Sequence, residues 1–356
     1  MDWIDVVRTK TAEELESLVR EILIAAGADQ DGAAEVAEHL VLSNLSGVDS
    51  HGIWHVEGYL KAVQAGEILA TAKPSVLKET PSSALISGNW TFGQVTANFG
   101  MEVAIEKAAS QNVAVVGLVQ THHIGRLGHF VEVAAREGMI AMVWTGGYSE
   151  EEPATMPYGG RDRVLHTNPV AMAFPGDQES AMMFDFATTV ASGVKVVNAH
   201  RRNQDVPPGW IVDKNGSPTT KPSDFFEGGG HIPFGGHKGY AVMMAGEYLG
   251  RIVTGADDYV EAGRGGPINR HQGVTMMVMK ADLFRPLADF TREADEMERR
   301  VRAVPPAPGF DEVLAPGDLE ERTRIARRRD GIPIADDVWQ SLIDAADRVN
   351  VKREKA

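Results

Sequence analysis

The sequence predicts an α/β fold with a helical layer built from both chain ends. Through the middle of the chain, apolar runs alternate with amphipathic segments in strand, loop, helix, strand order. The N-terminal stretch and the segment after Arg285 carry helical periodicity instead. The 356 residues are 43% hydrophobic and 24% charged, the make-up of a folded chain and too apolar for a disordered or collagen-like one. This length is enough for two domains or one large one.

Each element follows from local chemistry. Thr11 and Glu14 form a capping box ahead of Leu15, Leu18, Val19 and Ile22, and the helix ends near Gly27. A second helix is expected from about Asp31 through Leu42, stopped by Gly47. Ser50 can cap a third, through Leu60. PSVLKETPSSALISGNW reads as short strands and turns. A helix near Asn98–Ser110 precedes the apolar run Val113–Val119, then a loop, a helix around Phe130–Arg136 and the run Met139–Trp144. Asn203 to Gly236, rich in Gly, Pro, Asp and Lys, reads as an irregular excursion. HKGYAVMMAGEYLGRIVTG reads as one buried helix, GVTMMVMK as a strand, and the rest as charged helices. The expected division is a helical domain (1–75 plus 285–356), an α/β core (76–120 plus 240–284) and a domain from 121 to 239.

Composition excludes several chemistries. Cysteine is absent, so there is no disulfide, thiolate nucleophile, iron–sulfur cluster or cysteine zinc site. The net charge is -15, which disfavours nucleic acid, since affinity there comes from neutralised phosphates. No run reaches the roughly 18 apolar residues of a membrane helix, and MDWIDVVRTK holds no signal-peptide core. A cytoplasmic protein without a membrane partner is expected. G-x-G-x-x-G after a strand, a Gly-Lys P-loop and G-x-S-x-G are all missing.

The histidines carry more. His51 and His55 stand four apart at a helix start and can share a face. His122 and His123 follow an apolar run, where a strand end would present them to a cleft. Three uses compete: a zinc site from His51, His55 and His122 or His123, a general acid–base imidazole, or packing. The metal reading would make the chain a hydrolase or lyase built on His51, His55 and His122; a binding protein without catalysis is a third class. FGGHKGY, with Lys238 and Gly239, can bring backbone and a point charge to a phosphate at a helix start, or be a plain turn. FDFATT, with Asp185, Thr188 and Thr189, can cap a helix or bind ribose and amide groups.

Together these pieces form a pattern. SNLSGVDSHGI, QTHHIGRLGHF, YGGRDRVLHTNPVAMAFP, FDFATTVASGVKV, PFGGHKGYAVMM and RPLADFTREADEMERRVRAVPPAPGFDEVLAPGD occur in that order. The chain resembles the malate/L-lactate dehydrogenase family of the non-Rossmann kind, which includes ureidoglycolate, sulfolactate and hydroxycarboxylate dehydrogenases. The resemblance implies a mixed-sheet cofactor domain, an NAD- or NADP-dependent oxidoreductase acting on small 2-hydroxy or 2-oxo acids, and a homodimer with active sites near the interface. It accounts for the missing G-x-G-x-x-G. By motif, Ser50 and His51 match the family's Ser-His-Gly and His123 its His-x-Gly. Asp185, Phe186, Ala187 and Lys238 match cofactor-contacting positions, as does the turn Pro316, Gly317, Asp318; Thr188, Thr189 and Gly239 adjoin them. No metal is implied.

Three positions depart from the pattern. Where many members carry an arginine that would fork onto a carboxylate, this chain has His55. Arg126 follows His-x-Gly where small residues are usual, and it is the expected replacement clamp for the substrate anion; a salt bridge to a helix or to the cofactor phosphate is the competing role. His166 stands in place of a glycine. The expected mechanism is hydride transfer between the nicotinamide and substrate C2, with His123 moving the proton, His51 orienting the oxygen and Tyr59 lining the pocket.

Overall fold

The computed structural model of the chain describes residues 6–147, 152–176 and 182–351. Strand β1 (Val6–Lys10) leads into α1 (Ala12–Ala25) and α2 (Gln30–Leu45). The capping box is present: Thr11 Oγ1 accepts from the Glu14 amide at 3.2 Å, and the Glu14 carboxylate accepts from the Thr11 amide at 2.9 Å. Two amides that a helix start leaves open are thereby satisfied. Leu15, Val19, Ile22 and Leu23 form the buried stripe of α1, in one cluster with Val36, Leu40 and Val41 of α2.

Two 3₁₀ turns, Asp49–His51 and Ile53–His55, precede α3 (Val56–Gln64). The third helix therefore starts later than expected, and Ser50 does not cap it. The Asn44 side chain causes the delay. Its Oδ1 accepts from the Ile53 amide at 2.9 Å, holding the chain in turns across Gly52.

Strands β2 (Ser75–Thr80) and β3 (Ser83–Ser87), helix α4 (Gly93–Gln111), β4 (Val113–Val119), α5 (Leu127–Arg136) and β5 (Met139–Gly146) follow the alternation read from the sequence. Next come β6 (Val170–Phe174), β7 (Met182–Phe186) and α6 (Gly193–Arg201). The supposedly irregular stretch is partly ordered. In it, β8 (Ile211–Val212), β9 (Pro218–Thr219), α7 (Pro222–Phe226) and β10 (Gly230–His231) include a small sheet of order β10-β8-β9, whose Ile211 shares a cluster with Val196, Ala199 and Val206.

Helix α8 (His237–Glu247) runs into a π turn, Tyr248–Ile252, instead of continuing as one buried helix. Gly250 presses on the end of β5 so closely that a Cβ there would meet the Gly146 nitrogen at 2.1 Å. The opposite side of the turn, with Tyr248, Ile252 and Val253, is exposed. The chain closes with α9 (Gly266–Asn269), β11 (Gly273–Lys280), α10 (Leu287–Arg302), α11 (Asp318–Asp330), β12 (Ile332–Ala335) and α12 (Asp336–Arg348). β12 pairs antiparallel with β1 and unites the two chain ends in one helical layer.

The main sheet has seven strands in the order β2-β3-β4-β11-β5-β6-β7. Among the described residues, only β3 and β4 of this sheet run parallel, so the sheet is mixed. β11 pairs with both β4 and β5. The boundary expected at 120/121 therefore cuts a continuous sheet, and the two inner units share one core that includes Ala84, Val116, Val143, Ala171 and Val274. Alternation along the strands buries Ala114, Val116 and Leu118 in the same core as Ala97, Met101 and Ala104 of α4. On the other face, Val115, Met277, Met142, Met172 and Phe184 are successive cross-strand partners. Among the described residues, no helix is long and apolar enough to cross a membrane.

Candidate active site

The carboxyl end of β4, the two 3₁₀ turns, α3 and the start of α4 bring His51, His55, Tyr59 and His123 together. The ring centroids of His55 and His123 lie 4.5 Å apart, those of His51 and His123 5.7 Å, and those of His55 and Tyr59 5.7 Å. Glycines permit this closeness. A Cβ at Gly52, in the Ser-His-Gly motif, would sit 2.1 Å from Asn44 Oδ1. A Cβ at Gly93, the first residue of α4, would sit 2.2 Å from the His123 carbonyl oxygen. Gly125, at φ +82°, leaves room for His39, whose Nε2 accepts from the Arg126 amide at 2.9 Å.

Each ring is held. Ser50 Oγ lies 3.0 Å from His51 Nδ1. His55 Nε2 donates to the Ser50 carbonyl at 2.9 Å. Tyr59 Oη lies 2.8 Å from His123 Nδ1, and the buried Gln94 amide donates to Tyr59 Oη at 2.7 Å. Burial pushes His51 down to about 4, aided by the charge of Arg126. It pushes His55 to about 3, aided by His51. His123 is held well below its ordinary value, first by burial and then by its histidine neighbours. Burial also raises the Tyr59 hydroxyl. All these groups are therefore neutral at pH 7, in a pocket where uptake of an anion would favour the charged forms of the histidines and further disfavour that of Tyr59.

His122 points elsewhere. Its Nε2 is 3.3 Å from Asn269 Nδ2 and its carbonyl accepts from Gln272 at 3.0 Å. It does not join His51 and His55 in a ligand set. Among the described residues, no three His, Cys, Asp or Glu side chains are grouped to hold a metal ion.

Arg126 is not an open clamp. Its side chain is 1% exposed, Nη2 pairs with Glu132 at 3.1 Å, and Nη1 reaches Ser46 Oγ at 3.5 Å. Arg324 of α11 pairs with the same carboxylate at 2.9 Å. The two guanidinium groups hold Glu132 below the usual carboxylate range despite its burial. The salt-bridge role is the one realised, because the carboxylate of Glu132, one turn into α5, lies within reach of its N-cap residue.

The segments matched to cofactor contacts converge on β7. Asp185 and Phe186 point to opposite faces of the sheet, as alternation requires. Asp185 Oδ2 accepts from the Gly128 amide at 2.6 Å, so it serves the start of α5, and burial raises its carboxyl. Phe186 is 41% exposed and packs edge-on to Phe234 at 5.5 Å. Ala187 is half-buried. Thr188 Oγ1 donates to the Thr167 carbonyl at 2.8 Å and Thr189 Oγ1 to that of Ala191 at 2.9 Å. The Phe234 amide donates to the Thr188 carbonyl, which ties the glycine-rich turn to this strand end.

That turn fits a phosphate-bearing ligand. Gly235 (φ +56°) and Gly236 (φ +64°) bare the backbone at the start of α8, with open space where a Gly235 Cβ would project. Lys238 is exposed and has no ion-pair partner among the described residues. Gly239 is there for packing: a Cβ would collide with the Phe234 carbonyl oxygen. Pro316 meets the β7 edge, its carbonyl accepting from the Met183 amide at 3.4 Å, and Gly317 (φ +97°) opens α11. The Asp318 carboxylate is engaged internally, by Arg302 at 2.7 Å and the Ala315 amide at 2.7 Å. His166 needs no glycine-like backbone, since the left-handed residue here is Asn168 at φ +32°.

Sequence reading missed Gln94, Asn44, His39 and Asn269. Each supports a site residue from a distant element, and a lone amide or a helix histidine carries no motif to reveal it.

The sequence matches the malate/L-lactate dehydrogenase family over residues 11–343. It is 35% identical over 343 residues to the ureidoglycolate dehydrogenase (NAD(+)) of Escherichia coli O157:H7, covering 94% of this chain and 95% of that one. It is 35% identical over 348 residues to the malate/(S)-sulfolactate dehydrogenase of Methanothermus fervidus, covering 96% and 98%. The crystal structure of malate dehydrogenase from Entamoeba histolytica superposes with a TM-score of 0.90 at 25% identity, over 98% of this chain and 99% of that one. With its ordered motifs, mixed sheet and full-length likeness, the chain belongs to the malate/L-lactate dehydrogenase family and is an oxidoreductase.

Proposed function

We propose that the enzyme interconverts a 2-hydroxy acid and a 2-oxo acid with NAD or NADP as hydride carrier, and that it works as a cytoplasmic homodimer. The observation that carries this reading is the neutral histidine cluster around His123, which no carboxylate pairs among the described residues. A small organic acid would supply the missing negative charge there. When bound, the dinucleotide supplies or removes a hydride at substrate C2. The residues suited to hold it are Phe186 to Thr189, the Gly235–Gly239 turn with Lys238, and the Pro316–Gly317 turn.

The chain's own residues handle the oxygen and the proton. His123, positioned by Tyr59 and carrying the proton taken up on binding, donates from its imidazolium form to the substrate oxygen as it becomes an alkoxide, returns to the neutral ring, and takes the proton back in the reverse direction. The substrate carboxylate opposes the burial that keeps the cluster neutral, so binding in the reductive direction draws a proton into the cluster. His51 and the Ser50 hydroxyl orient the substrate. The single ring N–H of His55 is spent on the Ser50 carbonyl, so His55 shapes the pocket. Arg126 acts through its charge on His51, whose imidazolium it disfavours.

The test is oxidation of NADH and of NADPH with a panel of 2-oxo acids: pyruvate, oxaloacetate and phenylpyruvate. The expected outcome is turnover with at least one acid. His123→Ala lowers kcat by ~10²–10⁴-fold, the usual worth of a general acid, and His51→Ala chiefly raises KM. Loss of turnover in His51→Ala with near-intact His123→Ala reverses the assignment.

A further inference from the structure

Tyr59 is fixed between a donor and an acceptor, and the order of that chain has a chemical consequence. Gln94, the second residue of α4, is fully buried. Its Nε2 lies 2.7 Å from Tyr59 Oη, and its Oε1 has no partner. An amide NH₂ can only donate. A phenol oxygen that accepts from it keeps its own hydrogen for another acceptor. That acceptor is His123 Nδ1, 2.8 Å away. Nδ1 then carries a lone pair, and the neutral ring carries its hydrogen on Nε2. No hydrogen bond from within the described residues engages His123 Nε2.

We infer that Gln94 is a positioning residue: through Tyr59 it sets the tautomer of neutral His123, so that the ring offers a free Nε2–H as a hydrogen-bond donor to the oxygen of an arriving 2-oxo acid. Packing holds the relay in line. The Tyr59 ring stacks on His55 at 5.7 Å and meets Phe92 edge-on at 6.2 Å, so the phenol cannot swing away without disturbing both. Gln94 is anchored by its helix and by Gly93, which lets α4 seat directly on the His122–His123 backbone. Gln94 is buried behind Tyr59 and acts through it. The inference rests on His123 as the proton carrier.

The tautomer is read directly from ring-nitrogen chemical shifts in unliganded, ¹⁵N-histidine-labelled protein at pH 7.5. The His123 signals are assigned by their loss in His123→Gln. The expected result is a protonated Nε2 and an unprotonated Nδ1 in the native chain. In Gln94→Met the hydroxyl is released and the two tautomers mix, moving both nitrogens toward averaged values. With half of the resting rings in the donating form, the apparent KM for the 2-oxo acid rises about twofold with kcat little changed. Tyr59→Phe gives the same mixing and carries the test should Gln94→Met fail to fold. A protonated Nδ1 in the native chain overturns the inference. So does an unchanged tautomer in either variant that folds. The spectrum needs no turnover, so a His123→Gln enzyme that remains active overturns the proton-carrier reading separately.

Discussion

Single residues at this site are governed by burial more than by their intrinsic chemistry. His122 shows it most plainly, since burial alone pushes it down to about 4. In the unfolded chain the same imidazole titrates near 6.5. Between those values the unfolded state binds a proton that the folded state refuses, so stability rises with pH there. The contribution is complete above about pH 6.5 and is lost as pH falls toward 4, by at most ~1.4 kcal/mol per pH unit. The expected outcome is a urea midpoint that drops from pH 7 to pH 5 in the native chain and drops less in His122→Gln. Equal slopes in the two proteins would show that burial of His122 does not drive the loss. Arg126 makes the complementary point. Its charge suggests a ligand, but Glu132 lies within reach and water does not, so the guanidinium is committed inside the protein. A buried, paired charge of this kind specifies geometry more than it adds stability.

At the scale of elements, the site is assembled where helix starts meet strand ends, and glycines set the approach. Gly93 is a tight case that bears on chemistry. Alanine is the better helix former by up to ~1 kcal/mol, but at this position its Cβ would overlap the carbonyl oxygens of both His122 and His123. Gly93→Ala is therefore expected to displace the β4–α5 loop, and a shift of about 1 Å in a reacting group can cost ~10²-fold in rate. Overpacking should cost ~1–3 kcal/mol in stability. Calorimetry and steady-state kinetics on the one variant check both. A rate loss much larger than the stability loss explains is the expected result; native kinetics would show that the loop tolerates the shift. The π turn at Tyr248–Ile252 belongs to the same logic. Gly146 and Gly250 let helix and strand backbones touch, and the helix alters its winding to stay there.

For the whole molecule, one face of the sheet is covered by helices and the other is only partly covered. The row from Val115 through Met277, Met142 and Met172 is apolar, and Val113 and Val115 are exposed. A second copy of the chain covering this face is the proposed arrangement, since an exposed apolar strand surface invites association. Val115→Lys is expected to shift sedimentation from dimer toward monomer with the fold retained by circular dichroism. A native chain that sediments as a monomer at micromolar concentration would remove the proposal. The net charge of -15 also gains meaning at this scale. The exposed Lys238 sits beside a helix start, a local positive point on an acidic molecule, and the histidine pocket is neutral and ready to accept charge.

The sequence by itself determined the α/β class, the helical ends, the capping box at Thr11 and the glycine-rich turn, and it singled out Ser50, His51 and His123, which the fold brings close together. These are legible because periodicity, caps and ordered motifs are local properties of the chain. Only the tertiary structure decided that β5, β6 and β7 share a sheet with β4, because β11 returns from far along the chain to join them. It turned Arg126 toward Glu132 and Arg324, kept His122 out of the histidine cluster, engaged Asp318 internally and set Gln94 behind Tyr59. Each of those outcomes depends on which distant group occupies the neighbouring volume. Burial and hydrogen-bond direction exist only once the chain has closed around them.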